Sequence, residues 1–335
     1  MIVHKDRENL ALTVFVPYDC DNACLFCTSK QEYQQKTPDY EAVINTLKPI
    51  FKSFTALCTI KDVVFTGGEP LADLEKLREM VDLVPSVFDV YINTTLPAKN
   101  FKELREWAIH TPKIKGINVS RHTESYEKDC ETLCDIVPDD VFWDMGIPTR
   151  INCVVDRATD RAFIEAVTDR WQGKNVELSF RLDYRLNQTD LSLHNPYDPI
   201  PIWLSEMGFK YLSHTQCNVC DTTIFGRNGL KARYHKGKMF TSRFLGQTQD
   251  MDTMIMAVND LIIDHTGKFK YDWHDGDEKI TESVWKWITR TAEPERYTIN
   301  SSEGLCGVSS HSCGGRSLMS ACGGRTYSYG CEGGC

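Results

Sequence analysis

Apolar residues recur with two different periods along the first two-thirds of the chain. Short runs of β-branched and aromatic residues predict strands, and apolar positions three or four residues apart predict helices between them. The predicted strands are Leu12–Val16, Asp62–Thr66, Val90–Asn93, Ile114–Ser120, Thr149–Val155 and Val176–Leu182. The predicted helices are Tyr40–Phe54, with Asp39 as its N-cap, Ala72–Val84, Lys102–Ile109, Glu124–Ile136 and Arg161–Trp171.

This alternation predicts an α/β fold. Six successive β–α units imply a parallel sheet with helices outside it, and right-handed crossovers curl such a series toward a barrel. Because six units fall short of the eight in a complete barrel, we expect a partial (β/α)6 TIM-like barrel over residues 1–195.

The pattern changes after Tyr184. A connector rich in Pro, Asn and Asp spans Asn195–Pro201 and predicts a domain boundary. Beyond it, short strands (Leu230–Tyr234, Asp260–Asp264 and Lys268–Trp273) and a helix (Glu282–Arg290) predict a small, mostly β C-terminal module over residues 196–300. Residues 301–335 form a Gly/Ser/Cys-rich tail in which Cys-Gly-Gly-Arg occurs at Cys313 and Cys322 and a related Cys-Glu-Gly-Gly begins at Cys331.

Composition narrows the functional classes. The 335 residues carry a formal net charge of −9, which argues against general nucleic-acid binding because that needs a basic surface. No apolar run reaches the ~20 residues of a membrane span, and the N-terminus lacks a secretory signal. We therefore expect a cytoplasmic protein without a membrane partner.

Fourteen cysteines are many for a compartment that keeps thiols reduced. Metal or cluster ligation explains such an excess better than disulfides do. Four of the cysteines lie singly in apolar or helical patterns and are expected to be ordinary core residues: Cys58, Cys130, Cys134 and Cys153.

The clearest chemical motif is the C-x3-C-x2-C spacing of Cys20, Cys24 and Cys27, directly after the first predicted strand. Loops at the carboxyl ends of parallel strands are where α/β folds place their chemistry. Iron–sulfur cubes usually take four cysteines, so three would leave one iron open to a ligand. A structural zinc site is the alternative, although zinc prefers a closed set of four ligands and no fourth lies nearby in sequence.

The triplet, with Phe26 before its last cysteine, resembles the signature of radical S-adenosylmethionine (radical SAM) enzymes. A second motif of that superfamily, the GGEP type, is matched by Gly67, Gly68, Glu69 and Pro70 after the second predicted strand. Both motifs follow the expected strands in the expected order. The resemblance covers roughly Leu12 to Tyr184, and the subfamily is not identified.

The resemblance implies an enzyme with two cofactors. Cys20, Cys24 and Cys27 would bind a [4Fe–4S] cluster, and the motif from Gly67 to Pro70 would receive the methionyl amino group of S-adenosyl-L-methionine. Reductive cleavage would give methionine and a 5′-deoxyadenosyl radical that abstracts hydrogen from the substrate. A flavodoxin- or ferredoxin-type protein would supply the electron.

Later strand ends supply further candidates for cofactor contacts: Ser120, Arg121, Arg150 and Asn152. Arg181, Asp183, Asn93 and Thr94 lie at comparable strand ends, and His122 is a weaker catalytic candidate. Each of these polar residues could equally solvate the rim of the barrel.

The remaining cysteines leave three alternatives open. Cys217 and Cys220 form a C-x2-C pair beside His214 and could hold half of a second metal or cluster site. The tail could complete such a site, serve as a peptide substrate, or be inert. Its cysteine spacing does not match the auxiliary-cluster pattern of radical SAM extensions, apart from the final Cys331/Cys335 gap.

The leading hypothesis is hydrogen abstraction from a peptide or protein, including the chain's own Cys-rich tail. The alternative is radical SAM modification of a small metabolite or nucleotide. A non-catalytic zinc-binding protein is the remote third hypothesis.

Overall fold

We describe a computed structural model of the chain. The described residues are 2–5, 10–16, 20, 24, 26–27, 39–54, 60–122, 137, 139, 145–187, 189–195, 198–216, 220–238, 243–247, 254–258 and 260–270. Several predictions lie outside them: the helices Glu124–Ile136 and Glu282–Arg290, the tail 301–335, and Cys58, Cys130, Cys134 and Cys217.

The six predicted strands of the alternating region are all present. They are β2 (Leu10–Val16), β3 (Ile60–Gly67), β4 (Asp89–Thr94), β5 (Ile114–Ser120), β6 (Thr149–Val155) and β7 (Val176–Leu182), after a short β1 (Ile2–Lys5). They pair in parallel and in chain order. A mixed α/β fold with a parallel sheet is therefore confirmed.

Helices lie between these strands or follow the last of them. They are α1 (Tyr40–Phe54), α2 (Leu74–Leu83), α3 (Phe101–Ile109), α4 (Arg161–Trp171), α5 (Asp190–Leu193) and α6 (Pro199–Glu206). The predicted N-cap of α1 is confirmed, because the Ala42 amide donates to Asp39 Oδ1 at 2.9 Å. The predicted helix Ala72–Val84 begins later than expected, because Asp73 caps α2 by accepting from the Lys76 amide.

Strands from the second half of the chain lengthen this sheet at both edges. The later strands are β8 (Lys210–Gln216), β9 (Cys220–Arg227), β10 (Leu230–Gly237), β11 (Arg243–Gln247), β12 (Met254–Val258), β13 (Asp260–Ile263) and β14 (Phe269–Lys270). β10 lies parallel to β7, and β13 lies parallel to β2. The sheet order is β14-β13-β2-β3-β4-β5-β6-β7-β10-β9-β8, and β1, β12 and β11 form a separate three-stranded sheet. The strands predicted for a C-terminal module thus join the main sheet.

The two faces of the main sheet differ in polarity because side chains alternate along a strand. One face contributes Leu12, Val63, Ile92, Val119 and Leu178 to a core shared with helix residues such as Leu47 and Leu77. Burial of each such side chain stabilises the fold by about 1.5–3 kcal/mol. Cys153 belongs to this core, which confirms its predicted packing role.

The opposite face, which we call the polar face, is buried although many of its residues are polar. It includes Thr13, Tyr91, Asn118, Asn152, Ser179 and Arg233. Burial of polar groups costs free energy unless they are hydrogen-bonded. A buried polar face is therefore the place where the fold could hold a polar ligand.

Candidate functional site at the carboxyl edge of the sheet

The cysteine motif follows β2 at the carboxyl edge of the parallel strands. Cys20, Cys24 and Cys27 are half-buried. The Cys27 amide donates to the Cys24 carbonyl at 3.1 Å, which makes a turn between these two cysteines. Three cysteines on one loop are a donor set of the type that iron–sulfur clusters use.

Aromatic packing connects this loop to the next strand ends. The ring of Phe26 meets His122, just beyond β5, edge to face with 4.5 Å between ring centroids. Burial and the negative charge of Asp183 raise the pKa of Tyr184, and Cys27 adds to that shift. The loop after β2 therefore lies beside the ends of β5 and β7.

His122 is a neutral hydrogen-bond acceptor in this setting. Burial, with the positive charges of Arg121 and Arg181, lowers the pKa of His122 to about 3. Its Nδ1 accepts from the Val154 amide at 3.3 Å, so the proton of the neutral ring lies on Nε2. These contacts favour a positioning role for His122 under the cysteine loop.

The Gly-Gly-Glu-Pro turn lies on the neighbouring strand end. Gly67 has φ +111°, a conformation that residues with a Cβ rarely adopt. Gly68 is half-buried, whereas Glu69 and Pro70 are buried. The turn thus leaves backbone, rather than side chains, accessible at its glycines.

The Glu69 carboxylate is fully engaged with the protein. Its Oε1 accepts from the Leu71 amide at 2.9 Å and from the Thr94 hydroxyl at 2.5 Å. Its Oε2 accepts from the amide and the hydroxyl of Thr95 at 2.7 and 2.6 Å. Burial raises the pKa of Glu69, and these hydrogen bonds oppose that rise. Glu69 therefore ties the end of β3 to the end of β4, and any ligand contact of this residue would come from its backbone.

Arg121 continues the same network. Its guanidinium donates to the carbonyls of Thr95 and Val137 at 2.7 and 2.8 Å, and it pairs with Asp139 at 2.9 Å. It also donates to the carbonyl of Ser120. These contacts favour a positioning role for Arg121, and the cofactor contact expected from the sequence stays a prediction.

Arg150 and Asn152 lie on the polar face of β6. Arg150 is 2% exposed and faces Glu177 of β7, with 3.6 Å between Arg150 Nε and Glu177 Oε1. Asn152 pairs in register with Ser120 on β5 and Ser179 on β7. The structure therefore places Ser120 and Asn152 at one level near the carboxyl edge, with Arg121 one residue beyond them and Arg150 two residues deeper on β6.

Sequence reasoning missed the acidic and basic partners of Arg150. Glu177 and Arg233 belong to no motif, and Arg233 lies in the segment assigned to a separate module. The signal in the sequence is the alternation of polar residues with apolar ones at Glu177, Ser179 and Arg181 along β7. It placed these residues on one face but did not show which strand would pair with β7.

Two further predictions concern metal binding. Within the parts of the chain that the structure describes, no three His, Cys, Asp or Glu side chains lie close enough together to hold a metal ion. The ligand role of the three cysteines thus stays a prediction, as does an auxiliary site at Cys220. That cysteine is buried at the start of β9, next to Asp221, which accepts from His214 at 2.8 Å.

Comparison with known proteins finds solved structures that are similar to this chain in fold. No protein-family model and no curated protein matches the chain. The chain is similar to SuiB of Streptococcus suis bound to the precursor peptide SuiA, with a TM-score of 0.53 and 13% sequence identity over 84% of this chain and 65% of SuiB. At this identity the similarity is one of fold, and the chain spans about two-thirds of the neighbour's length.

A second structure, SuiB bound to S-adenosylmethionine, aligns with a TM-score of 0.45 and 16% identity over 60% of this chain and 49% of SuiB.

Among the described residues, no helix is both long and apolar enough to cross a membrane.

Proposed function

We propose that this chain is a radical SAM enzyme that abstracts hydrogen from a peptide or protein substrate. The observation that carries the proposal is the adjacency of two motifs. The three-cysteine loop follows β2 and the Gly-Gly-Glu-Pro turn follows β3, and these strands are parallel neighbours. Both motifs therefore lie at one edge of one sheet, where a bound cofactor could contact both.

In this proposal Cys20, Cys24 and Cys27 hold a [4Fe–4S] cluster, and the turn from Gly67 to Pro70 binds the amino group of S-adenosylmethionine through its backbone. Together, the bound cluster and cofactor would supply the one-electron chemistry that generates a radical for hydrogen abstraction. Ser120, Arg150 and Asn152 are further candidates for cofactor or substrate contacts. The alternating β–α units from β2 to β7 would form the partial (β/α)6 barrel expected from the sequence.

The protein's own contribution is to fix the two motifs. Glu69 binds donors from two strand ends, and Arg121 holds the Thr95 carbonyl beyond them. Because these polar groups are buried and paired, the turn keeps one conformation before any ligand arrives. Preorganisation of this kind lowers the cost of binding.

Support for a peptide substrate comes from two sources. The neighbour SuiB is described in complex with a precursor peptide. The tail of this chain carries Cys-Gly-Gly at Cys313 and Cys322 and the related Cys-Glu-Gly-Gly at Cys331, with nine-residue steps between these cysteines, which suits serial modification of equivalent positions. We therefore propose a peptide substrate first and treat a small metabolite as the alternative outcome.

The test uses anaerobically reconstituted protein with S-adenosylmethionine and a chemical reductant. We expect iron and sulfide in the wild type, release of 5′-deoxyadenosine, and a mass change in the tail or in a supplied peptide. A Cys20/Cys24/Cys27→Ala variant should lose both the cluster and the product. Cys153→Ala is the matched control, because this cysteine is buried in the apolar core.

Three outcomes separate the hypotheses. Colourless protein that contains zinc and no iron would overturn the proposal in favour of a metal-binding protein. Formation of 5′-deoxyadenosine with unchanged peptide masses, but with turnover of a metabolite extract, would favour the small-molecule alternative. Loss of four irons from eight in the triple variant would point to a second cluster, for which Cys217 and Cys220 are the candidates.

A further inference from the structure

Two arginines approach one carboxylate on the polar face of the sheet, and the charge of a third arginine, Arg181, acts on one of them. Arg233 on β10 donates to Glu177 Oε1 from Nε at 3.0 Å and from Nη2 at 2.8 Å. Arg150 approaches the same oxygen from β6. Arg181 lies two residues beyond Ser179, the register partner of Arg233. We call Arg150, Arg181, Arg233 and Glu177 the guanidinium cluster.

Arg150 and Arg233 are buried, Arg181 and Glu177 are half-buried, and these four side chains together carry more positive than negative charge. Arg150 and Arg233 are 2% and 4% exposed. Burial lowers the pKa of Arg233 to about 10, and the charges of Arg150 and Arg181 contribute to this although Glu177 opposes it. Since burial of like charges is costly, an anion bound here would gain more than the same anion on the surface.

Asn152 adds a neutral acceptor beside the cluster. It is 7% exposed, and its Oδ1 has no hydrogen-bond partner among the residues that the structure describes. It pairs in register with Ser179, which pairs in turn with Arg233 on the other side. An unsatisfied buried acceptor costs about 1–3 kcal/mol, which a ligand N–H could recover.

Cationic donors and an adjacent acceptor match one type of ligand. An acidic residue within a peptide offers a side-chain carboxylate and a backbone N–H a few ångströms apart. Planar guanidinium groups bind carboxylates with well-defined geometry. A metabolite with one anionic group and no N–H would satisfy only the arginines.

We propose that the guanidinium cluster is a substrate site that binds the side-chain carboxylate of an Asp or Glu residue in the peptide, while Asn152 accepts from a peptide N–H of the same substrate. This inference rests on the proposed function, and it makes Arg233 a specificity-determining residue. Glu177 then holds Arg150 and Arg233 in place and competes with the substrate carboxylate for their charge.

The test measures binding directly and does not depend on turnover. The probe is N-acetyl-L-glutamate α-methylamide, with the neutral glutamine analogue as its control. Both are titrated calorimetrically into the anaerobically reconstituted full chain, with and without saturating S-adenosylmethionine. We expect the glutamate probe to bind at least roughly tenfold more tightly than the glutamine analogue, as for a hydrogen bond to a charged group.

Three variants sharpen the test. Arg233→Met should weaken the glutamate probe by roughly tenfold or more, whereas Arg161→Met, an exposed arginine paired with Glu206 on α6, should leave its binding unchanged. Glu177→Gln should tighten the probe, because it removes the competing carboxylate. If the cluster served only to stabilise the fold, Glu177→Gln would not increase the affinity for the glutamate probe.

The inference would be overturned by equal binding of the two probes, or by glutamate binding that saturating S-adenosylmethionine abolishes, since the anion site would then belong to the cofactor. Unchanged binding in Arg233→Met would overturn it as well. Formation of 5′-deoxyadenosine, measured separately on the same preparations, reports on the proposed function. A negative binding result would thus count against the substrate site alone, and absence of 5′-deoxyadenosine would count against the proposed function.

Discussion

Replacement of Glu69 by glutamine tests the view that this side chain organises the carboxyl edge. Each carboxylate oxygen accepts one hydrogen bond from a backbone amide, Leu71 N at Oε1 and Thr95 N at Oε2. A backbone N–H can only donate. Whichever way the glutamine amide is turned, its NH₂ group would therefore face a donor.

The hydroxyl of Thr94 cannot relieve this conflict easily. It already accepts from the Leu96 amide at 2.8 Å, so its own proton points toward Glu69. Glu69→Gln should thus leave at least one buried backbone donor unsatisfied, at a cost of about 1–3 kcal/mol. Glu69→Ala leaves both backbone donors unsatisfied and should cost about 2–6 kcal/mol on the same scale.

The assay is urea unfolding of the cluster-free protein, followed by circular dichroism and tryptophan fluorescence. Glu75→Gln is the matched control, because Glu75 is exposed in the first turn of α2. We expect the free energy of unfolding to fall for Glu69→Gln and to change by less than about 0.5 kcal/mol for Glu75→Gln. If Glu69→Gln unfolds at the same urea concentration as the wild type, the four hydrogen bonds to the Glu69 carboxylate do not stabilise the fold as we infer.

Three further outcomes follow from the same contacts. Gly67→Ala should lower the free energy of unfolding by about 1 kcal/mol or more, because φ +111° is strained for alanine, and thermal melts of the variant will measure it. Arg121→Met should cost about 3–5 kcal/mol in urea unfolding, because it leaves Asp139 without the closer of its two arginine partners and frees three backbone carbonyls. Although burial opposes it, the pKa of Glu177 is lowered by Arg150 and Arg233. The pKa of Glu177 is therefore lower in the folded state than in the unfolded state. At pH values above the unfolded pKa, the ionised carboxylate stabilises the fold. This stabilisation is lost as the pH falls through the folded pKa. In thermal melts at a series of pH values, the free energy of unfolding of Glu177→Gln should fall less steeply than that of the wild type below about pH 4.5. The same pH dependence in both proteins would contradict the ion pairs assigned to Glu177.

The local pattern of the sequence was enough to predict the six central strands and their order. Period-two alternation in Thr149–Val155 and Val176–Leu182 predicts strands whatever lies beside them. The caps were only partly predictable: Asp39 fits the N-cap pattern, whereas Asp73 does not stand out because the 3-10 turn Pro70–Ala72 directly precedes it. Local patterns thus identify elements better than they identify the residues at which elements begin.

Pairing between distant strands could not be predicted in the same way. Nothing in Leu230–Gly237 indicates that it lies parallel to β7, because strand patterns specify faces and not partners. For the same reason Arg233 could not be placed beside Glu177, and the guanidinium cluster was invisible in the sequence. The motif residues were easier to find, since the spacing of Cys20, Cys24 and Cys27 carries its own chemical meaning.

The pairing of β13 with β2 has a consequence for biosynthesis. The two strands are roughly 250 residues apart in the chain, yet Leu261 lies directly beside Leu12. Until the ribosome has released the segment around residue 260, the hydrogen-bonding groups along the outer side of β2 have no strand to pair with, and such an edge invites association between nascent chains. The protein should therefore fold late in translation, and fragments that stop short of β13 should accumulate as aggregates rather than as smaller folded units.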